Sequence, residues 1–265
     1  MKTERYAFFL DIDGTLWRRG DIPQDNKDTI KKVRSMGHAV LINTGRSLGF
    51  IPQSLFDEIE LDGVVSGIGA SVIVDGEYVE NTFFTEDEVG RVLDFFSDSD
   101  NLIILEGEER VIYFKRSDAP KSPFHSKSVS QTANISAREE WDEHYKSEPI
   151  TKITVHAFIP NEKEIKALSA DFSVIAHPDE NYTEIGIRGF DKGIGMLKAA
   201  KRLGIDQKHC VAMGDSPNDT AMLEAAGISV AMGDAAESVK QMSDIISLPC
   251  MEGGVAHAMK QILGI

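Results

Sequence analysis

Four aspartates fall in two short segments of this chain, Asp11-Ile12-Asp13-Gly14-Thr15 near its start and Gly214-Asp215-Ser216-Pro217-Asn218-Asp219 far downstream. Carboxylates at such spacing, beside glycine turns, can act as nucleophile, as general acid and base, or as ligands to a hard cation. Between the two segments stand Thr44-Gly45-Arg46 and Lys192, which opens a helix-like stretch after Asp191. Gathered at one site, the carboxylates would repel by about 4 kcal/mol per pair at roughly 4 Å and an effective dielectric near ~20. A cation among them removes that conflict. Oxygen donors suit Mg²⁺, and no cluster of His or Cys points to zinc or iron. The cation would also make an acidic protein locally attractive to phosphate. Backbone N–H groups around Gly14 and Gly45, and the charge of Lys192, would add to that attraction.

Each piece has a plainer reading when taken singly. Asp11–Thr15 lacks the third acid before its glycine and the distant Glu of a calcium loop, but a simple turn competes. Thr44-Gly45-Arg46 alone reads best as a helix cap, and Lys192 alone as a solvated lysine. Gly214-Asp215-x-x-Asn218-Asp219 is moderately specific. The combined signal lies in where the pieces fall along the chain.

The first and last thirds alternate strand-like and helix-like patterns. Tyr6–Leu10, His38–Asn43 and Cys210–Met213 are short apolar runs that read as buried parallel strands. A helix pattern over Pro23–Met36 stops at Gly37, and another runs from Asp191 to Lys201. Helices at Asn218–Ala226, Ala235–Met242 and Val255–Leu263 alternate with strands at Ile228–Ala231 and Ile245–Ser247. Ser71–Val74 and Glu77–Val79 flank Asp75-Gly76 as a hairpin. Helical crossovers of this length imply an α/β, doubly wound, mainly parallel sheet. Residues that follow its strands share one edge, where loops converge into a site.

The middle of the chain reads differently. Longer runs at Leu102–Leu105, Arg110–Phe114, Lys152–Phe158 and Glu184–Arg188 mix with helix-like Glu86–Phe96 and Glu162–Leu168. Pro120, Pro123 and neighbouring serines predict an exposed loop. The expected organisation is therefore core residues 1–81, an inserted α+β module over 82–188, and core residues 189–265.

Composition narrows the function classes. A hydrophobic share of 42% and a charged share of 27% fit an ordinary folded protein. The net charge of −15 argues against nucleic acid or an anionic membrane as the main partner. No apolar run approaches a transmembrane length, and Tyr6–Leu10 is too short for a signal-peptide core. Cys210 and Cys250 form neither a disulfide framework nor a metal knuckle. A cytoplasmic location is the expectation.

The motifs Phe9-Leu10-Asp11-Ile12-Asp13-Gly14-Thr15-Leu16, Asn43-Thr44-Gly45-Arg46, Asp191-Lys192-Gly193 and Gly214-Asp215-Ser216-Pro217-Asn218-Asp219 resemble those of the haloacid dehalogenase superfamily, in its Cof-type (IIB) sugar-phosphatase-like branch. Val230–Ala235 and Glu252-Gly253-Gly254-Val255 resemble that branch too. The resemblance implies that Asp11 attacks phosphorus to form an aspartyl-phosphate while binding Mg²⁺. It implies that Asp13 protonates the leaving alkoxide, then deprotonates water, and offers a carbonyl to the metal. Thr44, Gly45, Arg46, Lys192 and Asn218 would bind phosphate or substrate, and Asp215 and Asp219 would serve the metal. The insert would be an α/β cap. Two departures stand out: Ile68-Gly69-Ala70 replaces the usual Asn-Gly-Ala, and Gly233-Asp234-Ala235 replaces Gly-Asn-Ala.

Asp13 also defines the reaction class, because a halide leaves unprotonated whereas an alkoxide leaves far better with a proton. A Mg²⁺-dependent phosphatase of small phosphorylated metabolites, sugar phosphates foremost, is the expectation. A phosphomutase or phosphotransferase, in which a sugar hydroxyl accepts the phosphoryl group, fits the same motifs. A degenerate, non-catalytic metabolite binder would have lost one of the acids, and none is lost. Ala176–Tyr182, before a strand of the insert, is a candidate for substrate contact.

Overall fold

The fold is taken from a computed structural model that describes residues 4–97, 99, 101–114, 135–136 and 148–265. The chain divides into two units. The first comprises the described residues of Met1–Gly45, Ser54–Asn81 and Asp191–Ile265, and the second those of Arg46–Gln53 and Thr82–Phe190.

The first unit is built on β1 (Ala7–Leu10), α1 (Gln24–Ser35), β2 (Ala39–Asn43), α2 (Gln53–Glu58), β3 (Gly63–Ser66), β4 (Ser71–Val74) and β5 (Glu77–Asn81). After the insert it resumes with α5 (Lys192–Leu203), β12 (Cys210–Gly214), α6 (Thr220–Ala225), β13 (Ile228–Ala231), α7 (Glu237–Met242), β14 (Ile245–Ile246) and α8 (Gly254–Leu263). Its eight-stranded sheet runs in the order β14-β13-β12-β1-β2-β3-β4-β5. Strands β14 through β3 are parallel, and β4 and β5 add an antiparallel edge.

Residue types account for this arrangement. Every residue of β1 and β2 is buried, as expected for parallel strands covered on both faces. Helix α5 packs against α6 and over β2–β5, while α1 packs against α8. Its Asp191 N-cap accepts from the Ile194 amide at 2.7 Å, and Gly204 closes its other end in the left-handed conformation. Because β1 lies between β2 and β12, the loops after all three strands emerge side by side.

The second unit holds α3 (Glu86–Phe95), β6 (Leu102–Gly107), β7 (Val111–Phe114), β8 (Ile135–Ser136), β9 (Ile150–His156), α4 (Glu162–Leu168), β10 (Phe172–His177) and β11 (Tyr182–Ile187). Its sheet order is β10-β11-β9-β6-β7-β8, antiparallel except between β7 and β8. Alternation along the strands sends Ile103, Leu105, Ile153, Val155 and Ile185 into one apolar cluster with Val89, Val92, Phe96, Leu168 and Phe172. Residues of the opposite parity, Glu106, Lys152, Thr154 and Glu184, are also buried.

An α/β core with a mainly parallel sheet and a separate antiparallel cap sheet matches the expected class. Some elements differ. Strand β10, which the sequence pattern does not mark, ends with Ala176 and His177, and only Pro178–Glu180 forms a short 3-10 turn before β11. The helix expected from Asn218 starts at Thr220, because Ser216 and Asp219 form a reciprocal capping pair around a 3-10 turn opened by Pro217. Pro120 and Pro123, read as an exposed loop, lie outside the described residues.

Candidate active site

Lys192 is the centre of the constellation. It occupies the first position of α5, is 2% exposed, and extends its ammonium between two carboxylates. Its Nζ donates to Asp11 Oδ1 at 2.7 Å and to Asp219 Oδ1 at 2.7 Å, with Asn218 Oδ1 at 3.4 Å. Asp11 leaves the end of β1, its amide donating to the Met213 carbonyl of the neighbouring β12 at 3.1 Å. Asp219 is buried, and its Oδ2 accepts the backbone amides of Asp215 and Ser216 at 3.0 and 3.1 Å. Asp215 accepts from the Thr15 hydroxyl at 3.2 Å.

The loop after β1 reaches this arrangement through Gly14, whose φ of +85° few other residues adopt. A Cβ at position 14 would lie 2.3 Å from Asp215 Oδ2, so the two acidic loops touch because residue 14 has no side chain.

One oxygen each from Asp11, Asp215 and Asp219 lies within 4.8 Å of the others. These are hard oxygen donors, partly buried and crowded by like charge, and they fit a divalent cation such as Mg²⁺. Burial pushes the Asp11 carboxyl well above its usual range; Asp219, Asp215 and Asp13 add to the rise and Lys192 opposes it. Asp215 is pushed up to about 7 by burial and by Asp219, against Lys192 and the Thr15 hydrogen bond. Lys192 moves upward, since Asp11 and Asp219 more than offset its own desolvation. Free carboxylates in this state hold protons that a cation would displace.

The structure thus gathers Asp11, Lys192, Asp215, Asn218 and Asp219. Asp13 is exposed, close enough to act on the charge of Asp11 and Asp215, and accepts from the Trp17 indole at 3.0 Å. Thr44 and Gly45 are buried at the end of β2, where the Thr44 amide donates to the Val65 carbonyl at 2.9 Å. Arg46 belongs to the second unit, where it donates to the Phe50 carbonyl at 3.1 Å and lies over the Phe50 ring.

Four contributors went unread in the sequence. Thr15 holds Asp215, and the Ser216 hydroxyl donates to Asn218 Oδ1 at 2.7 Å. The buried Asn43 side chain donates to the Lys192 carbonyl at 2.9 Å, tying the end of β2 to the start of α5. Trp17 is the fourth. Only Ser216 carried a local signal, the Ser-x-x-Asp spacing of a capping box. Of the two departures from the branch pattern, Asp234 receives Arg18 at 2.7 Å and the Cys250 amide at 3.0 Å. Ile68 takes a buried left-handed position, φ 57°, strained for a β-branched residue.

The chain matches the family model described as haloacid dehalogenase-like hydrolase over residues 8–259. It is 28% identical to the phosphatase YwpJ of Bacillus subtilis, with 96% of this chain and 98% of that protein covered. It is 27% identical to that organism's 5-amino-6-(5-phospho-D-ribitylamino)uracil phosphatase YitU, with both chains covered in full. Among solved structures, the subclass IIB sugar phosphatase BT4131 superposes with a TM-score of 0.82 at 26% identity, covering 98% of this chain and 100% of that one. The chain belongs to the haloacid dehalogenase-like hydrolases, in their Cof-type IIB branch.

Proposed function

We propose that this protein is a Mg²⁺-dependent phosphatase of small phosphorylated metabolites, sugar phosphates foremost, acting through an aspartyl-phosphate on Asp11. By family it is a phosphoric monoester hydrolase. The observation that carries the finer reading is the buried Lys192 held between Asp11 and Asp219 beside Asp215.

Asp11, Asp215 and the Asp13 carbonyl would hold the cation, with Asp219 supporting them. When bound, it supplies positive charge that draws in the phosphate and stabilises charge developing in transfer. Lys192 fixes the Asp11 carboxylate and opposes the rise that burial and the neighbouring acids impose on it, and a bound cation would complete its ionisation. Asp11 attacks phosphorus as the P–O bond to the leaving group breaks, and Asp13 gives its proton to the departing alkoxide. Asp13 then takes a proton from water, which attacks the phosphorus of the acyl phosphate and frees Asp11. The Thr44 hydroxyl, the Gly45 amide, Asn218 and Arg46 are assigned to phosphate or substrate. Splitting hydrolysis in this way answers the difficulty of phosphate monoesters, among the slowest bonds to cleave in water.

The test is Mg²⁺-dependent release of p-nitrophenol from its phosphate ester, followed by a panel of hexose, pentose and ribityl phosphates. Activity that requires Mg²⁺ and disappears in Asp11→Asn is the expected result. Activity unchanged by Asp11→Asn would remove Asp11 as nucleophile. Release of free phosphate, rather than an isomeric sugar phosphate, is expected of a hydrolase.

A further inference from the structure

Asp13 sits on an exposed loop, where a carboxyl group ordinarily samples several rotamers. A proton donor to a leaving group must instead present one oxygen in one direction. The chain holds a device for this four residues further on. Trp17 is 2% exposed, and its indole Nε1 donates to Asp13 Oδ1 at 3.0 Å.

The backbone that carries the indole is fixed from both sides in sequence, and burial restrains the ring. The Gly14 amide donates to the Trp17 carbonyl at 3.0 Å, and the Trp17 amide to the Ile12 carbonyl at 3.1 Å. Arg18 and Asp21 then exchange backbone hydrogen bonds at 3.2 and 3.1 Å around Arg19 and Gly20, both at positive φ, as a tight hairpin turn requires. Arg18 is anchored on Asp234 at 2.7 Å. The ring therefore has little freedom to follow Asp13. Asp13 must orient to the ring.

We propose that Trp17 is a positioning residue for Asp13: its N–H fixes the carboxyl rotamer and assigns the transferable proton to the other oxygen. An oxygen that accepts an N–H is the carbonyl-like oxygen of a protonated carboxyl, so the acidic hydrogen resides on Oδ2. Oδ2 donates to the departing alkoxide and afterwards accepts the proton of the attacking water. This rests on the reading of Asp13 as acid and base.

The experiment compares two substrates in Trp17→Phe, with Asp13→Asn alongside. An alkyl phosphate needs a proton on its leaving oxygen; p-nitrophenolate departs without one. For Trp17→Phe, kcat/KM, which covers only the steps up to expulsion of the leaving group, is expected to fall about tenfold on the alkyl ester, part of the roughly 10²–10⁴-fold that acid catalysis supplies, and by at most about threefold on p-nitrophenyl phosphate. A second variant replaces the indole by benzothiophene at position 17 alone, which keeps the bicycle, removes the N–H, and covers the case of Trp17→Phe failing to fold. The same selective loss there supports the proposal. Equal losses on both substrates, or none, overturn it. If Asp13→Asn shows the selective loss and neither Trp17 variant does, the positioning role fails while the acid role stands. If Asp13→Asn shows no selectivity, the acid role fails and the inference with it.

Discussion

Among the described residues, each unit buries one lysine between two carboxylates, and the two triads behave in opposite ways. In the second unit, Lys152 Nζ lies 2.7 Å from Glu184 and 3.0 Å from Glu106. The Thr154 hydroxyl donates to Glu106 at 2.6 Å, and His177 lies 3.2 Å from Glu184. Burial alone raises the Glu184 carboxyl, but Lys152 and His177 more than offset it and hold it well below its usual range. In the first unit, Lys192 faces Asp11 and Asp219 at similar distances, yet Asp215 and Asp13 add negative charge, and Asp11 and Asp215 rise. Burial and group types are alike; the charge balance differs. A matched triad is a satisfied structural network, whereas a surplus of carboxylates marks a site shaped for something positive to arrive.

Removing each lysine separates the two roles. Lys192→Met is expected to lower kcat by about 10²–10³-fold, as loss of a charge-stabilising donor does, read by p-nitrophenyl phosphate turnover at saturating Mg²⁺. Lys152→Met leaves two buried carboxylates facing each other, and a stability loss of about 3–5 kcal/mol is expected from its urea midpoint. Its folded fraction should keep far more activity than Lys192→Met. Equal effects on kcat would erase the distinction between the triads.

A smaller effect sharpens it through pH. Asp215, raised from 3.8 to about 7, holds more protons folded than unfolded across that interval, so its contribution to metal-free stability falls as pH rises toward and through 7. Glu184, held below its ordinary 4.5, contributes stability above that value and loses it as pH falls further. Mg²⁺ should therefore raise the melting temperature more at about pH 8 than at about pH 5.5. Its affinity should weaken by up to about tenfold per pH unit below 7, measured by calorimetry. An Mg²⁺ response independent of pH would contradict the assignment of Asp215 as a ligand that must lose a proton.

Much of this was legible in the sequence, for reasons that differ by residue. Asp11, Asp13, Asp215 and Asp219 stood out because carboxylates beside glycines at strand ends have few structural uses. Lys192 carried almost no signal of its own and gained meaning only through its resemblance to a known motif, although it is the geometric centre of the site. Thr15, Trp17 and Asn43 act through single hydrogen bonds, which leave no periodic trace. The second triad was missed because Glu106, Lys152 and Glu184 alternate with apolar residues as solvent-facing strand positions do, and pattern alone cannot distinguish a buried ion pair from a wet face. Strand β10 was missed for a related reason, since its half-buried Ala176 and His177 lead into Pro178 and look like loop.

Chemical trapping tests the central claim most directly: the enzyme is quenched during turnover of a sugar phosphate with Mg²⁺, reduced with borohydride, and digested for peptide mass spectrometry. Reduction of an acyl phosphate converts its aspartate to homoserine, and the account predicts homoserine at position 11 only in samples that received both substrate and Mg²⁺. An intact Asp11 throughout turnover, or homoserine at another aspartate, would contradict it.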